Sequence, residues 1–172
     1  MTDGMGKTQR FVAICGIKNS GKTTLIEALL KVFRVRGVKV AVIKHDGHDF
    51  TCDIPGTDSA RFMEGGAYGA AVFSSARIFV HKTGTGEDET FLRTLFPEAD
   101  LILLEGGKDS TYPKIEVIRK GISDTPASNS TGRFLIVTDH NPERFAEEIC
   151  GFTQVEEIAD RIMKEEGYNE TG

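Results

Sequence analysis

The sequence predicts an α/β fold: a three-layer sandwich with a mostly parallel sheet between helices and a β-hairpin extension. Two observations predict it. Short apolar runs alternate with helical patterns along most of the chain, the order that builds parallel sheets. The segment Gly16-Ile17-Lys18-Asn19-Ser20-Gly21-Lys22-Thr23 satisfies G-x-x-x-x-G-K-[ST] between an apolar run and a helical one, the context a phosphate-binding P-loop requires. The chain therefore reads as a single P-loop nucleotide-binding domain over 10–166, with flexible tails at 1–9 and 167–172.

Each element has its own signal. Arg10 to Cys15 is the first strand. A helix follows from near Lys22 to about Arg36, with Gly37 placed as its C′ residue. Val38 to Lys44 reads as strand two. His45 to Gly56 is polar, rich in Asp and Gly, and reads as a long functional loop. Thr57 to Gly65 suits a short helix. Gly69 to Ser74 and Arg77 to Lys82 form the hairpin around a Ser75-Ala76 turn. Glu87 to Phe96 is helical and stops before Pro97. Leu101 to Leu104 is wholly apolar and suits a strand buried on both faces. Lys114 to Arg119 and Phe134 to Thr138 are further strands. Pro142 sits at position N1 of a helix capped by Asn141 and interrupted at Gly151, and Val155 to Glu166 is a last amphipathic helix.

Composition narrows the function classes. At 172 residues the chain can bury a proper core, and 39% hydrophobic with 27% charged residues is ordinary for a globular protein. A net charge of -5 argues against nonspecific nucleic-acid binding. Cys15, Cys52 and Cys150 show no C-x-x-C spacing and suggest no disulfide framework. No run is long enough to span a bilayer, and the polar N-terminus lacks the apolar core of a secretory signal. A cytoplasmic protein with no nucleic-acid or membrane partner is the expectation.

The P-loop carries the first chemistry. Backbone N–H groups of a tight loop and the N-terminus of the following helix surround a nucleotide's phosphates. Gly16, Lys18, Asn19, Ser20, Gly21, Lys22, Thr23 and Thr24 form the expected nucleotide-binding set. Gly16 and Gly21 let the backbone turn and approach phosphate. Lys22 reaches the β- and γ-phosphates as a point charge, and Thr23 offers its hydroxyl to Mg²⁺. Thr24 caps or packs in the first helical turn.

Carboxylates at other strand ends complete the set. Glu105, closing the apolar strand, is the candidate that supports Mg²⁺; the competing reading is a solvated acid. Gly106 and Gly107 let the backbone pass close to a γ-phosphate. Asp46 and Asp49 are candidates for Mg²⁺ coordination (Asp46) or for positioning an attacking water, with Asp53 behind them. His45 and His48 fit hydrogen-bonded loop roles equally well, since no zinc spacing is present. Arg61 suits a phosphate, a partner chain or a surface ion pair. Lys108 and Lys114 suggest a basic rim for a second anion. Asp139 follows a strand where a base would lie, and a carboxylate can accept both N–H donors of guanine's edge. The N-K-x-D string is absent.

Three stretches together carry a family resemblance: G-I-K-N-S-G-K-T-T-L, then K-H-D-G-H-D-F with D-I-P-G-T-D-S-A-R-F, then L-I-L-L-E-G-G-K ahead of P-K-I-E-V. The chain resembles the MobB family of molybdopterin-guanine dinucleotide biosynthesis proteins from Phe11 to the final helix. The resemblance implies a GTP-binding protein that works as a homodimer and hydrolyses GTP weakly. It implies an accessory role in attaching GMP to molybdopterin, beside a MobA-like molybdopterin guanylyltransferase. Relatives often carry an aromatic residue where Ala60 stands, and Phe or Tyr where Gly107 stands.

Three functions follow for comparison. The first is a GTPase using in-line phosphoryl transfer to water, with Lys22 and Asp46 or Asp49 as catalytic residues. The second is a binding adapter that delivers nucleotide or cofactor to the guanylyltransferase. The third is a small-molecule kinase, disfavoured because the candidate lid Thr83 to Glu89 has no arginine to stabilise transferring phosphate.

Overall fold

The computed structural model describes residues 9–46, 53–84 and 88–165. They fall into two compact units, one built from the segments up to His45 and from Leu92 onward, the other from Asp46 to Phe91.

The first unit holds a six-stranded sheet: β1 (Arg10–Cys15), β2 (Val40–Lys44), β5 (Leu101–Glu105), β6 (Lys114–Ile118), β7 (Arg133–Thr138) and β8 (Glu148–Cys150). Its order is β2-β5-β1-β6-β7-β8, and every pairing is parallel. The strands are apolar on both faces for a visible reason. Val12 and Ile14 of β1 join the cluster of α1 (Lys22–Val35) and α4 (Val155–Lys164). Phe11, Ala13 and Cys15 join the opposite cluster with Ile102 and Leu104, against which Leu92, Ala99 and Tyr112 pack. Period-two alternation thus feeds two cores from one strand.

α1 buries Leu25, Ile26, Leu29 and Phe33, a stripe at helical spacing. It ends as Gly37 predicts. Gly37 adopts φ +69°, its N–H meets Arg34 O at 3.2 Å, and Val38 N–H reaches Phe33 O at 3.0 Å. That pair of bonds is a Schellman closure. It uses Val38, so β2 starts at Val40 and not at Val38.

The second unit holds α2 (Asp58–Glu64) and the antiparallel hairpin of β3 (Gly69–Phe73) and β4 (Ile78–Lys82), closed by Ser74 N–H on Arg77 O at 2.8 Å. Thr57 caps α2 by accepting Ala60 N–H. α3 (Glu89–Thr94) spans the boundary between the units in sequence.

One expectation fails. Pro142 and Asn141 do start a helix, but it is a single 3-10 turn over Pro142–Arg144, with Asn141 accepting Glu143 N–H at 3.2 Å. The chain then adds β8 to the edge of β7, Leu135 opposite Glu148. A cap signal marks where a helix can begin; pairing with a waiting sheet edge decides how far it runs. Among the described residues, no helix is long and apolar enough to cross a membrane.

Candidate functional site

The loop after β1 is built on backbone conformations that L side chains rarely adopt. Gly16 lies at φ +139° and Gly21 at +104°. A Cβ on Gly16 would sit 2.6 Å from Val117 O, so only glycine fits there. Asn19 takes φ +65°, tolerated by a short amide side chain. Gly21 is the N-cap of α1 and provides no side-chain cap, and the first turn carries no acid. The N–H groups at the start of α1 therefore face the loop without a side-chain acceptor, the arrangement that draws anions.

Lys22 is drawn back over this loop: its Nζ donates to Gly16 O at 3.0 Å and to Ile17 O at 2.7 Å. Ser20 is fully buried and its hydroxyl lacks a hydrogen-bond partner among the described residues. Lys18, Asn19, Thr23 and Thr24 are exposed. Thr24, being exposed, does not pack in the first turn.

Glu105 is brought to the loop by strand pairing, since β5 runs beside β1 with Glu105 opposite Ile14. The Thr23 hydroxyl donates to its carboxylate, 3.2 and 3.3 Å from the two oxygens. Gly106 and Gly107 follow at φ +117° and +72°. Gly106 N–H bonds to Ile14 O at 3.0 Å, and the Cys15 thiol donates to Gly106 O at 3.1 Å. A Cβ on Gly107 would lie 2.9 Å from Leu104 Cδ2, so at φ +72° this position suits glycine. Burial, then the nearby Glu116 charge, pushes the Cys15 thiol up to about 12.

Asp139 is exposed at the carboxyl end of β7, and its Oδ1 accepts Lys120 N–H at 2.6 Å. Asp46 is exposed and opens the second unit. Asp49 and His48 lie outside the described residues. Asp53 is committed within the second unit. Its Oδ1 accepts Ile54 N–H at 3.0 Å and the hydroxyls of Ser59 at 3.1 Å and Thr57 at 3.2 Å. His81 lies 3.5 Å from its other oxygen. Burial opposes its charge, but these donors hold the carboxyl below its ordinary value. Arg61 makes a 3.8 Å ion pair with Asp58, both side chains solvent-exposed.

Lys114 is not on a rim. It is fully buried, and its Nζ donates to Ser110 O, to Lys108 O at 3.4 Å and to Asn129 Oδ1 at 3.0 Å. Burial holds its ammonium below the ordinary lysine value. Glu116, two residues on, is equally hidden and accepts Ala127 N–H at 2.7 Å and Ser128 N–H at 3.2 Å.

Sequence reasoning missed Arg119. Its Nε donates to Ser20 O at 3.1 Å, inside the loop. No local signal marked it: β6 carries Lys114 and Glu116, and Arg119 meets the loop only because β6 pairs with β1. Among the described residues no cluster of three or more His, Cys, Asp or Glu could hold a metal ion. Thr23 and Glu105 nonetheless fit Mg²⁺: both are hard oxygen donors, and this ion takes few protein ligands beside phosphate and water.

Comparison with known proteins follows from this geometry. The sequence profile described as "Molybdopterin guanine dinucleotide synthesis protein B", MobB, matches residues 11–139. A "Molybdopterin-guanine dinucleotide biosynthesis adapter protein" of Escherichia coli (strain K12) is 31% identical over 166 residues, covering 92% of this chain and 95% of that protein. Its counterpart in Haemophilus influenzae is 30% identical over 154 residues, covering 88% and 86%. The crystal structure of Bacillus subtilis MobB superposes with a TM-score of 0.72 at 25% identity, covering 93% of this chain and 99% of that one. The chain belongs to the MobB family.

Proposed function

We propose that this protein binds Mg²⁺–GTP on the Gly16–Thr24 loop and serves as an accessory protein in converting molybdopterin to its guanine dinucleotide form. The observation that carries it is the meeting of the Thr23 hydroxyl and the Glu105 carboxylate, 3.2 Å apart, beside a lysine that lies over the loop. Mg²⁺, when bound, neutralises charge on the β- and γ-phosphates. Thr23 and Glu105 are the residues that would hold it, directly or through water. Lys22 moves from carbonyls to phosphate. Hydrolysis is the in-line attack of a water on the γ-phosphorus as the bond to the β-bridging oxygen breaks, giving GDP and inorganic phosphate, with the water's proton passing to phosphate or solvent; turnover is slow. Asp139 reads guanine, using Oδ2 and the remaining capacity of Oδ1.

The test is a titration of GTP against ATP with Mg²⁺, repeated with Asp139→Ala. GTP preference that Asp139→Ala removes supports the reading; equal binding of ATP overturns the guanine assignment.

A second reading favours a non-catalytic adapter, because the relatives are named adapter proteins. Turnover measured with and without the molybdopterin guanylyltransferase separates the two. Partner-stimulated hydrolysis supports the GTPase, and its absence supports the adapter.

A homodimer belongs to the same proposal. The hairpin exposes apolar side chains on both faces, with Val72 53%, Phe73 81%, Ile78 75% and Val80 63% exposed. Among the described residues the hairpin pairs with no other strand, and two sheet edges of that character suit a second copy of the chain. Light scattering that returns a monomer mass overturns it.

A further inference from the structure

We propose that Arg119, with Phe152 behind it, is the seat of the nucleobase, a stacking platform joined rigidly to the phosphate loop. This rests on the nucleotide-binding reading above and adds residues to it.

The platform is fixed from two sides. Nε of Arg119 donates to Ser20 O at 3.1 Å, which ties the side chain to the loop. The guanidinium carbon lies 4.1 Å from the centroid of the Phe152 ring, a close cation–π contact over the ring face. Phe152 is itself packed against the core between sheet and helices. Gly21 makes room for the arrangement: a Cβ there would lie 2.9 Å from Nη2. Arginine suits this place and lysine does not. Only a planar, delocalised cation can stack on a ring while keeping an in-plane N–H for a carbonyl.

Position supports the assignment. In the order β2-β5-β1-β6-β7-β8 the loop rises from β1, with Glu105 on the β5 side. A nucleotide whose metal lies toward β5 must send its sugar and base toward β6 and β7. Arg119 follows β6 and Asp139 follows β7. The bond from Lys120 N–H to Asp139 Oδ1, at 2.6 Å, joins the two strand ends into one rim. Purines stack on arginine planes as they do on aromatic rings. Arg119 therefore offers a π-face, and Asp139 an edge reader, along the same path.

The experiment compares Mg²⁺–GTP with Mg²⁺–inorganic triphosphate by calorimetry, for wild type, Arg119→Ala, Arg119→Lys and Phe152→Leu. A base seat predicts that wild type prefers GTP to triphosphate. It predicts that Arg119→Ala weakens GTP about tenfold or more, the worth of one stacked base, with triphosphate affinity held. Phe152→Leu follows it in a smaller degree. Arg119→Lys, which keeps the charge and the fold, still loses GTP affinity because the plane is gone. A parallel fall for both ligands overturns the proposal, since Arg119 would then serve the loop alone; so does no change for either. Wild type binding triphosphate as tightly as GTP sinks the base seat and leaves the phosphate loop standing. Wild type binding neither sinks both.

Discussion

Replacing Lys22 by methionine tests the phosphate loop with a side chain of similar length and no charge. Two opposing quantities set the expected loss. A unit charge at contact distance near a protein surface attracts phosphate by about 4 kcal/mol. The free protein already uses the same ammonium on Gly16 O and Ile17 O, at 3.0 and 2.7 Å. Such charge-assisted bonds are worth about 1.5–3 kcal/mol each when shielded, and less here because the Ile17 contact is solvent-exposed. Binding trades these carbonyls for phosphate, so the net loss is smaller than the gross attraction, about 1–3 kcal/mol, or roughly 5- to 150-fold in Kd. Calorimetry with Mg²⁺–GTP and with inorganic triphosphate reads it directly, and both ligands must lose affinity together because the contact is with phosphate. The free variant should also melt a few degrees lower, having lost the two carbonyl bonds. A Kd within about threefold of wild type, below a kcal/mol, in a protein that still melts cooperatively, refutes the reasoning.

Three further outcomes are expected. Glu116→Ala strands the buried N–H of Ser128 and the half-buried N–H of Ala127, at about 1–3 kcal/mol for the buried one and less for the other; urea unfolding should show the loss, and hydrogen exchange should quicken over the loop preceding Arg133. Gly16→Ala, at φ +139° and facing a carbonyl 2.6 Å away, should destabilise more than Gly37→Ala, at φ +69° with nothing within 4 Å; equal thermal shifts would contradict the close approach. Cys15 should resist iodoacetamide at neutral pH in the folded protein, its thiol being buried and pushed up to about 12. The unfolded thiol ionises near its ordinary value of 9.0 while the folded one does not, so its contribution to stability is present below that pH and falls away as pH rises toward about 12; Cys15→Ala should flatten that part of the alkaline decline in urea midpoint.

Elements whose signals are local were legible in the sequence. The glycines of the loop, the Gly37 closure and the apolar strands all state their conformations within a few residues. Glu105 was legible too, because an acid that ends a doubly buried strand has one place to go. β8 was not, for three residues carry no periodicity and the strand exists only because β7 offers an unpaired edge. Lys114 was read as a surface charge because its acceptors, Lys108 O, Ser110 O and Asn129 Oδ1, come from two loops that only the fold brings together. Arg119 escaped for a related reason: its role depends on β6 lying beside β1, and sequence order separates those strands by the whole second unit.

Height along the strand sorts the charges of this sheet into two kinds of work. Lys114 and Glu116 lie within the body of β6, both buried, and each gives its charge to loop backbone. Lys114 holds the segment after Gly107, and Glu116 holds the loop after Arg119. Neither loop has a sheet or helix to satisfy its polar groups, so a hidden charge supplies the missing partners. Glu105, Arg119 and Asp139 stand at the carboxyl ends of β5, β6 and β7, where parallel α/β sheets receive ligands. Their partners there are the phosphate loop, through Thr23 and Ser20, and the Lys120 backbone at the rim. The same residue types thus serve the fold when they fall short of the strand end and the site when they reach it.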